Sequence, residues 1–145
     1  TPLIAFWPAG IKVPGGSISE RTGHVMDFMA TFVELAKAKY PVVYHGNNIK
    51  PMQGLSLVPA FASKTANGNR TLFNEHFGAR YVRHDGWKLV SKRNEPWHLF
   101  RIDDDETELK DLSALHPEIV QKMDKMWQDW TKENHVFPKQ ADKAK

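Results

Sequence analysis

The densest group of reactive side chains lies in the stretch FNEHFGARYVRHDG, residues 73–86. It contains Glu75, His76, Arg80 and Arg83, and His84 follows directly. Guanidinium groups bind sulfate, phosphate and carboxylate through paired hydrogen bonds, and a nearby His and Glu can add further polar contacts. This combination of residue types predicts a binding site for an anionic group.

The spacing of these residues limits which of them can act together. Side chains alternate between the two faces of a strand, so Arg80 and Arg83 cannot share a face of a regular strand. A bulge near Gly78 would bring them to the same side. The alternative interpretation is an exposed sheet face whose charges are solvated.

A second candidate is the acidic stretch RIDDDETE, residues 101–108. Clustered carboxylates at the end of a strand can bind Ca²⁺ or Mg²⁺, but this stretch lacks the glycine and the spaced acidic ligand of an EF-hand loop. We therefore interpret it as an acidic turn that leaves a strand, and we assign no metal to it. Its carboxylates belong to Asp103, Asp104, Asp105, Glu106 and Glu108.

The histidines and tryptophans give weaker signals. No two histidines have the i, i+4 spacing of a helical zinc site, and there is no cysteine to join them. Trp127 and Trp130 fall on the apolar face of a predicted helix, and Trp87 and Trp97 on predicted strands. An aromatic platform for sugars would need two of them exposed together. The histidines are His24, His45, His76, His84, His98, His116 and His135.

Length and composition bound the class of protein. A chain of 145 residues suffices for one domain, or for one domain with part of another. The apolar fraction of 41% and charged fraction of 26% are typical of a globular chain. No apolar stretch approaches the ~18 residues of a membrane span, so no membrane partner is expected. The net charge is +3, but acids interrupt the Lys and Arg residues, which disfavours a nucleic-acid partner.

The N-terminal part of the chain predicts one strand and one helix. Leu3–Trp7 is an unbroken apolar run closed by turn residues, which is typical of a strand buried on both faces. Residues 20–39 have a helical pattern with apolar side chains on more than one face, so we expect cover on several sides. Residues 41–70 are rich in Gly, Asn and Pro and predict an irregular connecting segment.

Residues 71–138 predict an antiparallel sheet covered by a helix. Asp85-Gly86 joins two β-prone runs and is typical of a type I′ hairpin, and WHLFRI predicts a further strand after the turn KRNEP. Pro117–Glu133 predicts a helix with one apolar face. The fold class is therefore α+β, an antiparallel meander of about four strands covered by a long C-terminal helix. Residues 139–145 form a polar tail.

Five segments, in this order, resemble the C-terminal portion of a formylglycine-dependent sulfatase. The resemblance is to the bacterial arylsulfatase type, in the alkaline-phosphatase-like superfamily. The second segment is similar to the family's Asp-x-x-Pro-Thr helix, with Ala30 in place of the proline, and Ala79 stands where an Asn often precedes Arg80. The segments are TPLIAFWPAGI, GHVMDFMATFVELA, GLSLVPAF, LFNEHFGARYVRHDGWKLV and WHLFRIDDDETELKDLSALHPE.

The resemblance implies a domain organisation and an activity. Residues 1–40 would be a strand and helix left over from the large α/β sulfatase domain, and residues 71–138 the C-terminal sulfatase subdomain. The full-length parent would hydrolyse sulfate esters, using a formylglycine made from Cys or Ser in a Cys-x-Pro-Ser-Arg motif, beside a Ca²⁺. Neither a cysteine nor Pro-Ser-Arg occurs here. We therefore expect no catalytic residue and no cofactor in this chain, with Ca²⁺ and formylglycine in the missing N-terminal domain.

The resemblance also implies a role in binding a sulfated aryl or carbohydrate substrate. Glu75 and His76 are the residues expected to reach the rim of the active-site cleft, followed by Arg80 and Arg83. A periplasmic or secreted parent is suspected.

Two other functions fit the residues alone. One is a stand-alone binding module for an anionic glycan or nucleic acid, and the other is a purely structural interaction domain. In each case Leu3–Trp7 and the apolar helix have no obvious partner in this sequence. We expect the parent's own N-terminal catalytic domain to cover them. The isolated chain is expected to form a homo-oligomer, exchange that strand, or leave its N-terminal third disordered.

Overall fold

The structure, a computed structural model, describes residues 2–63 and 70–137. The chain divides into two compact units, Thr1–Gly68 and Asn69–Lys145, called unit 1 and unit 2 below. The expected polar tail at 139–145 lies outside the described residues, as do residues 64–69 of the turn-rich segment. The four-part division expected from the sequence stays a prediction.

The described residues of unit 1, 2–63, form two helices and one short hairpin. Its elements are α1 (Asp27–Leu35), β1 (Val43–Tyr44), β2 (Asn47–Asn48) and α2 (Val58–Ala62). The antiparallel strands β1 and β2 are joined by a two-residue turn whose central residues both have positive φ. This is the turn geometry that matches the natural twist of a hairpin.

The N-terminal apolar run is not a paired strand in this structure. Residues 3–7 carry no strand assignment, and the strands of unit 1 lie at 43–48 instead. Ile4 and Phe6 are each 89% exposed. A strand forms only where its N–H and C=O groups find a neighbouring strand, and residues 2–63 provide none for this run.

Helix α1 is shorter than the 20–39 span that the pattern predicts, because hydrogen bonds close a separate turn before its start and end it after Leu35. At its start the ring Nδ1 of His24 accepts the N–H of Met26 at 3.3 Å, and the Asp27 carboxylate accepts the N–H of His24 at 2.8 Å. These two bonds close the turn that precedes the helix. At its end Lys37 has a φ of 50°, and the N–H of Ala38 bonds to the carbonyl of Val33. That bond is typical of a Schellman stop.

Two polar side chains of α1 hold the segment that precedes α2. The buried carboxylate of Asp27 accepts the N–H of Leu55 at 2.9 Å. The hydroxyl of Thr31 donates to the carbonyl of Asp27 and accepts the N–H of Leu57 at 2.9 Å. A Cβ on Gly54 would lie 2.2 Å from the carbonyl oxygen of Met26, so only glycine allows this approach.

Unit 2 is a four-stranded antiparallel meander covered by one long helix. The strands follow chain order across the sheet, and each pairs only with its sequence neighbours. This confirms the α+β class, the meander and the long helix expected from the sequence. The elements are β3 (Leu72–His76), β4 (Ala79–His84), β5 (Trp87–Ser91), β6 (His98–Arg101) and α3 (Pro117–Glu133).

The core of unit 2 lies between α3 and one face of the sheet. Val82, Leu89 and Leu99 are fully buried in the three consecutive strands β4 to β6, and they meet Met123 and Trp127 of α3. Cross-strand pairing places the three strand residues in one row. Within residues 2–63 and 70–137, no helix is both long and apolar enough to cross a bilayer.

Candidate functional site

The β3–β4 hairpin carries all four residues predicted to bind substrate, and its register assigns them to two faces. Glu75 pairs with Arg80 across the two strands, and no bulge occurs near Gly78 within this hairpin. Because side chains alternate, Glu75 and Arg80 lie on the face covered by α3, while His76 and Arg83 lie on the opposite face. The sheet therefore brings the first pair together and separates it from the second.

Arg80 is held between two tryptophans. Its guanidinium carbon lies 4.2 Å from the ring centroid of Trp97 and 4.9 Å from that of Trp127. The two rings meet at 76°, with centroids 5.9 Å apart, so they form a corner. Each indole is fixed by a hydrogen bond, Trp97 to the Asp124 carboxylate and Trp127 to the carbonyl of Asn74. Cation–π contact with two fixed rings orients the guanidinium.

Glu75 fixes the turn of the hairpin. Its Oε1 accepts the N–H of Gly78 at 2.7 Å, which closes the turn over Phe77. Phe77 and Gly78 have φ angles of 50° and 90°, the signs that a type I′ turn needs. A Cβ on Gly78 would lie 2.9 Å from Cγ of Arg93, so the Arg93 side chain packs directly over this turn.

These groups line an open cleft of about 390 Å³ in unit 2. Arg80 and Trp127 lie at its floor, while Arg93 and Glu95 come from the loop between β5 and β6. Phe137, just beyond the end of α3, lines another side and contacts Trp127 with centroids 5.9 Å apart. The remaining lining residues are Glu75, Phe77, Gly78, Ser91 and Asn94.

The cleft combines groups that suit an anionic, ring-shaped ligand. Two guanidinium groups can donate to an oxyanion, two carboxylates can accept from hydroxyl groups, and aromatic rings can cover an apolar ring face. Its volume is within the range of small-molecule sites, which is about 300–1,000 Å³.

The other two predicted residues lie elsewhere. His76 is exposed on the opposite face, where its ring contacts Phe77 with centroids 4.6 Å apart. Arg83 is half-buried on that face and stands opposite Lys88 of β5. His84 shares the helix-side face but lies near the far end of β4, hydrogen-bonded to Thr71 at 2.8 Å. None of these three residues lines the cleft.

The acidic segment after β6 uses its carboxylates to hold its own turn. The Asp105 carboxylate accepts the N–H groups of Leu109 and Lys110, and hydrogen bonds from Lys110 and Leu109 lower the pKa of Asp105. Asp103 forms an ion pair with Arg101 at 3.0 Å. Within the described ranges, no three His, Asp or Glu side chains are grouped to hold a metal ion.

Asp111 closes this segment against β6. Its carboxylate accepts the N–H groups of Leu99 and Ser113 and lies 2.7 Å from the Nδ1 atom of His98. Burial alone would raise the pKa of Asp111, but hydrogen bonds from Ser113, Leu99 and His98 outweigh it and hold this pKa far below its usual value.

Sequence reasoning missed Arg93, Ser91 and Phe137 as cleft residues. Arg93 belongs to the stretch KRNEP, whose composition predicts only a turn. Phe137 lies near the polar tail, beyond the predicted helix. One feature of the sequence does point to Arg93 as a cleft residue. Lys92 and Arg93 are two cations that directly follow the strand that pairs with the strand of Arg80.

No protein-family profile matches this sequence. Two curated proteins do. The chain is 28% identical over 133 residues to "Uncharacterized sulfatase PB10D8.02c" of Schizosaccharomyces pombe, covering 87% of this chain and 24% of that protein. It is 32% identical over 95 residues to "Ulvan-active sulfatase" of Formosa agariphila, covering 64% and 19%. The chain thus spans about a quarter of the length of these relatives, or less.

Solved structures share the fold. The crystal structure of Ps i-CgsB is similar with a TM-score of 0.65 and 25% identity, over 86% of this chain and 27% of that one. It is also solved in complex with k-i-k-neocarrahexaose. BT4656 in complex with its substrate D-glucosamine-2-N, 6-O-disulfate is similar in fold, with a TM-score of 0.53 and 16% identity over 77% and 24% of the two chains.

The relatives match in the C-terminal part of their chains. The five sequence segments predict a resemblance to the same part of a sulfatase. The predicted resemblance is therefore confirmed: in sequence and in fold, this chain is similar to the C-terminal portion of sulfatases.

Proposed function

We propose that this chain belongs to an enzyme that hydrolyses sulfate esters of carbohydrates, and that it supplies structure and substrate recognition but no nucleophile. The observation that carries the proposal is the match to sulfatases over 87% of this chain but only 24% of the S. pombe protein. The chain contains no cysteine and no Pro-Ser-Arg sequence from which a formylglycine could be made.

Residues outside this chain would hold the Ca²⁺ and formylglycine that the resemblance implies. The donor set here does not fit either group, because the thiol precursor is missing from the sequence and the described residues contain no cluster of three candidate ligands. Serine can also be the precursor, but the motif around it also contains Pro-Ser-Arg, and this sequence has no Pro-Ser-Arg. No step of the reaction is therefore assigned to a residue of this chain.

The carbohydrate assignment is supported by the ligands of two neighbours in fold. These are k-i-k-neocarrahexaose and D-glucosamine-2-N, 6-O-disulfate. The cleft of unit 2 supports it independently, because guanidinium, carboxylate and aromatic groups together suit a ring with both sulfate and hydroxyl substituents.

Among the four predicted residues, we assign substrate recognition to Glu75 and Arg80. They share one face of the hairpin and line the same cleft, whereas His76 and Arg83 point away from it. His76 and Arg83 therefore cannot bind the same ligand group as Arg80. An aryl sulfate would need only the guanidinium contacts to its sulfate group. The two carboxylates of the cleft favour a ligand that also carries several hydroxyl groups.

The proposal is tested by two linked experiments. First, the purified chain is incubated with an aryl sulfate, with and without Ca²⁺, and we expect no turnover above background. Turnover by the chain alone would overturn the absence of a nucleophile. Second, the coding frame upstream of Thr1 is read and expressed together with the chain. Activity that appears only in the longer protein, on sulfated sugars, is the expected result, and an upstream stop codon would contradict it.

A further inference from the structure

We propose that the cleft of unit 2 binds a sulfated saccharide, with Arg80 and Arg93 on the sulfate oxygens and Phe77 and Phe137 against the sugar ring. The inference rests on the proposed function only for the chemistry of the ligand. Binding by this cleft requires no turnover, so it can be tested on this chain by itself.

The first argument is that both guanidinium groups have unused donors. No carboxylate or carbonyl of the described residues accepts a hydrogen bond from Arg80 or forms an ion pair with it, and the same holds for Arg93. Arg80 is half-buried, and its protein contacts are the two tryptophan faces. A partly desolvated guanidinium is stabilised by an acceptor group that offers it two oxygens, and sulfate is such a group.

The second argument is that Arg80 is already positioned. Side-chain ordering is one of the main costs of binding. The corner formed by Trp97 and Trp127 holds the guanidinium in place before any ligand arrives, and both indoles are fixed by their own hydrogen bonds. Contact with the aromatic rings gives the N–H groups of Arg80 no oxygen acceptor, so they can still donate to a ligand.

The third argument concerns the two phenylalanines at the rim. Phe77 is 81% exposed and has a φ of 50°, an unfavourable combination for a bulky residue at a hairpin tip. Phe137 is 53% exposed. Folding gains little from either exposed ring, whereas a ligand with an apolar ring face would bury both. Strained residues beside a cleft point to a role in binding.

The fourth argument selects the class of ligand. Glu75 and Glu95 also line the cleft, so its formal charges cancel against those of Arg80 and Arg93. A nucleic acid, with a phosphate at every nucleotide, gains from uninterrupted positive charge and would be repelled by these carboxylates. A sugar with one sulfate and several hydroxyl groups can use both signs, since carboxylates accept from hydroxyl groups.

The test is an NMR titration of the full 145-residue chain with N-acetylglucosamine 6-sulfate. The reporters are the indole N–H signals of Trp97 and Trp127, which flank Arg80. N-acetylglucosamine and sodium sulfate are titrated in parallel to separate the contributions of ring and anion. We expect saturable shifts of both indole signals with the sulfated sugar, and binding at least about tenfold weaker for either part alone.

Two matched variants locate the binding. Arg93→Gln removes one charge from the cleft at an exposed position and should weaken binding about fivefold or more. Arg83→Gln removes the same charge from the opposite face of the same hairpin and should leave affinity within about twofold. Near-UV circular dichroism of both variants verifies that the Trp97–Trp127 pair stays packed.

Three results would overturn the proposal. The first is no saturable indole shift with the sulfated sugar, and the second is an equal loss of affinity in the two variants. The third is that sodium sulfate binds as tightly as the sulfated sugar, which would leave a simple anion site. None of these outcomes depends on the activity of the longer protein, so failure here is distinguishable from failure of the sulfatase assignment.

Discussion

The buried carboxylate of Asp27 accepts the backbone N–H of Leu55 at 2.9 Å, which ties the first turn of α1 to the segment before α2. The same carboxylate accepts the N–H of His24 at 2.8 Å, so one side chain closes the turn before the helix and also fixes a loop. Thr31, one turn later, binds the N–H of Leu57. The Asp-x-x-x-Thr spacing places both side chains on one side of the helix, where they face the same segment.

Replacing this carboxylate should loosen unit 1 locally. Asp27→Asn keeps the shape but turns an N–H₂ group toward one of the two backbone donors, so we expect a loss of about 2 kcal/mol. The measurement is amide hydrogen exchange, in which the Leu55 and His24 amides should lose protection. Glu34→Gln, at an exposed position of the same helix, is the control. Unchanged protection of Leu55 in the Asp27 variant would contradict this role.

Local signals in the sequence predicted unit 2 well. Asp85-Gly86 predicted a type I′ turn, and both residues have positive φ, while Pro117–Glu133 is helical over the predicted span. Turns and amphipathic helices depend on neighbouring residues, so their patterns are visible in one short stretch. The same holds for the alternation that separates Arg80 from Arg83.

The cleft could not be predicted from such local signals. Its floor joins Arg80 of β4 to Trp127 of α3, and its walls come from Arg93 in a loop and Phe137 after the helix. These residues meet only after α3 has packed across the sheet. The span of α1 is overestimated for a related reason, since its ends depend on the turn closed by His24 and Asp27 and on the backbone bonds of Lys37 and Ala38, and not on apolar periodicity.

Truncating the centre of the unit 2 core should be costly. Leu99→Ala removes a fully buried side chain between Leu89 and α3, and we expect unit 2 to lose about 2–5 kcal/mol of unfolding free energy. Leu115→Ala, at a largely exposed position, should cost less than about 0.5 kcal/mol. Urea unfolding followed by tryptophan fluorescence reports mainly on unit 2, because four of the five tryptophans belong to it and only Trp7 belongs to unit 1. Similar losses in the two variants would show that the core is not centred on Leu99.

The type I′ turn at Gly86 should not tolerate a side chain. Gly86 has a φ of 74°, and an added Cβ would lie 2.1 Å from the carboxylate of Asp103. The exposed Asp103 side chain can turn away from the added methyl group, but the backbone strain remains, so Gly86→Ala should lower stability by about 1 kcal/mol. Gly15→Ala is the matched control, because no atom lies within 4 Å of its added Cβ. Equal midpoints of thermal unfolding for the two variants would refute the prediction.

The apolar surface of unit 1 should drive self-association of the isolated chain. Phe32 and Met29 of α1 are largely exposed, and Phe32 lines an apolar groove of about 320 Å³ together with Leu3 and Ile4. Contiguous exposed apolar surface favours association. Phe32→Glu should shift the sedimentation profile toward monomer, and Glu34→Gln should not. A monomeric chain at high concentration, with no difference between the variants, would contradict the expectation.

Asp111 should make the stability of unit 2 fall at acid pH. Its pKa is lowered in the folded chain, so the stabilisation is complete above the unfolded value of about 3.9 and is lost as pH falls toward the folded value. Asp111→Asn should cost about 1 kcal/mol at pH 7, at the lower end for charged hydrogen bonds because the side chain is 37% exposed. The difference between wild type and variant should shrink below about pH 4, since the wild-type carboxyl then starts to lose its charge advantage. Urea unfolding at several pH values measures this difference directly, and the carboxyl ¹³C shift of Asp111 reports its ionisation. A difference that stays constant from neutral to acid pH would show that the ionisation of Asp111 does not contribute to the stability of unit 2.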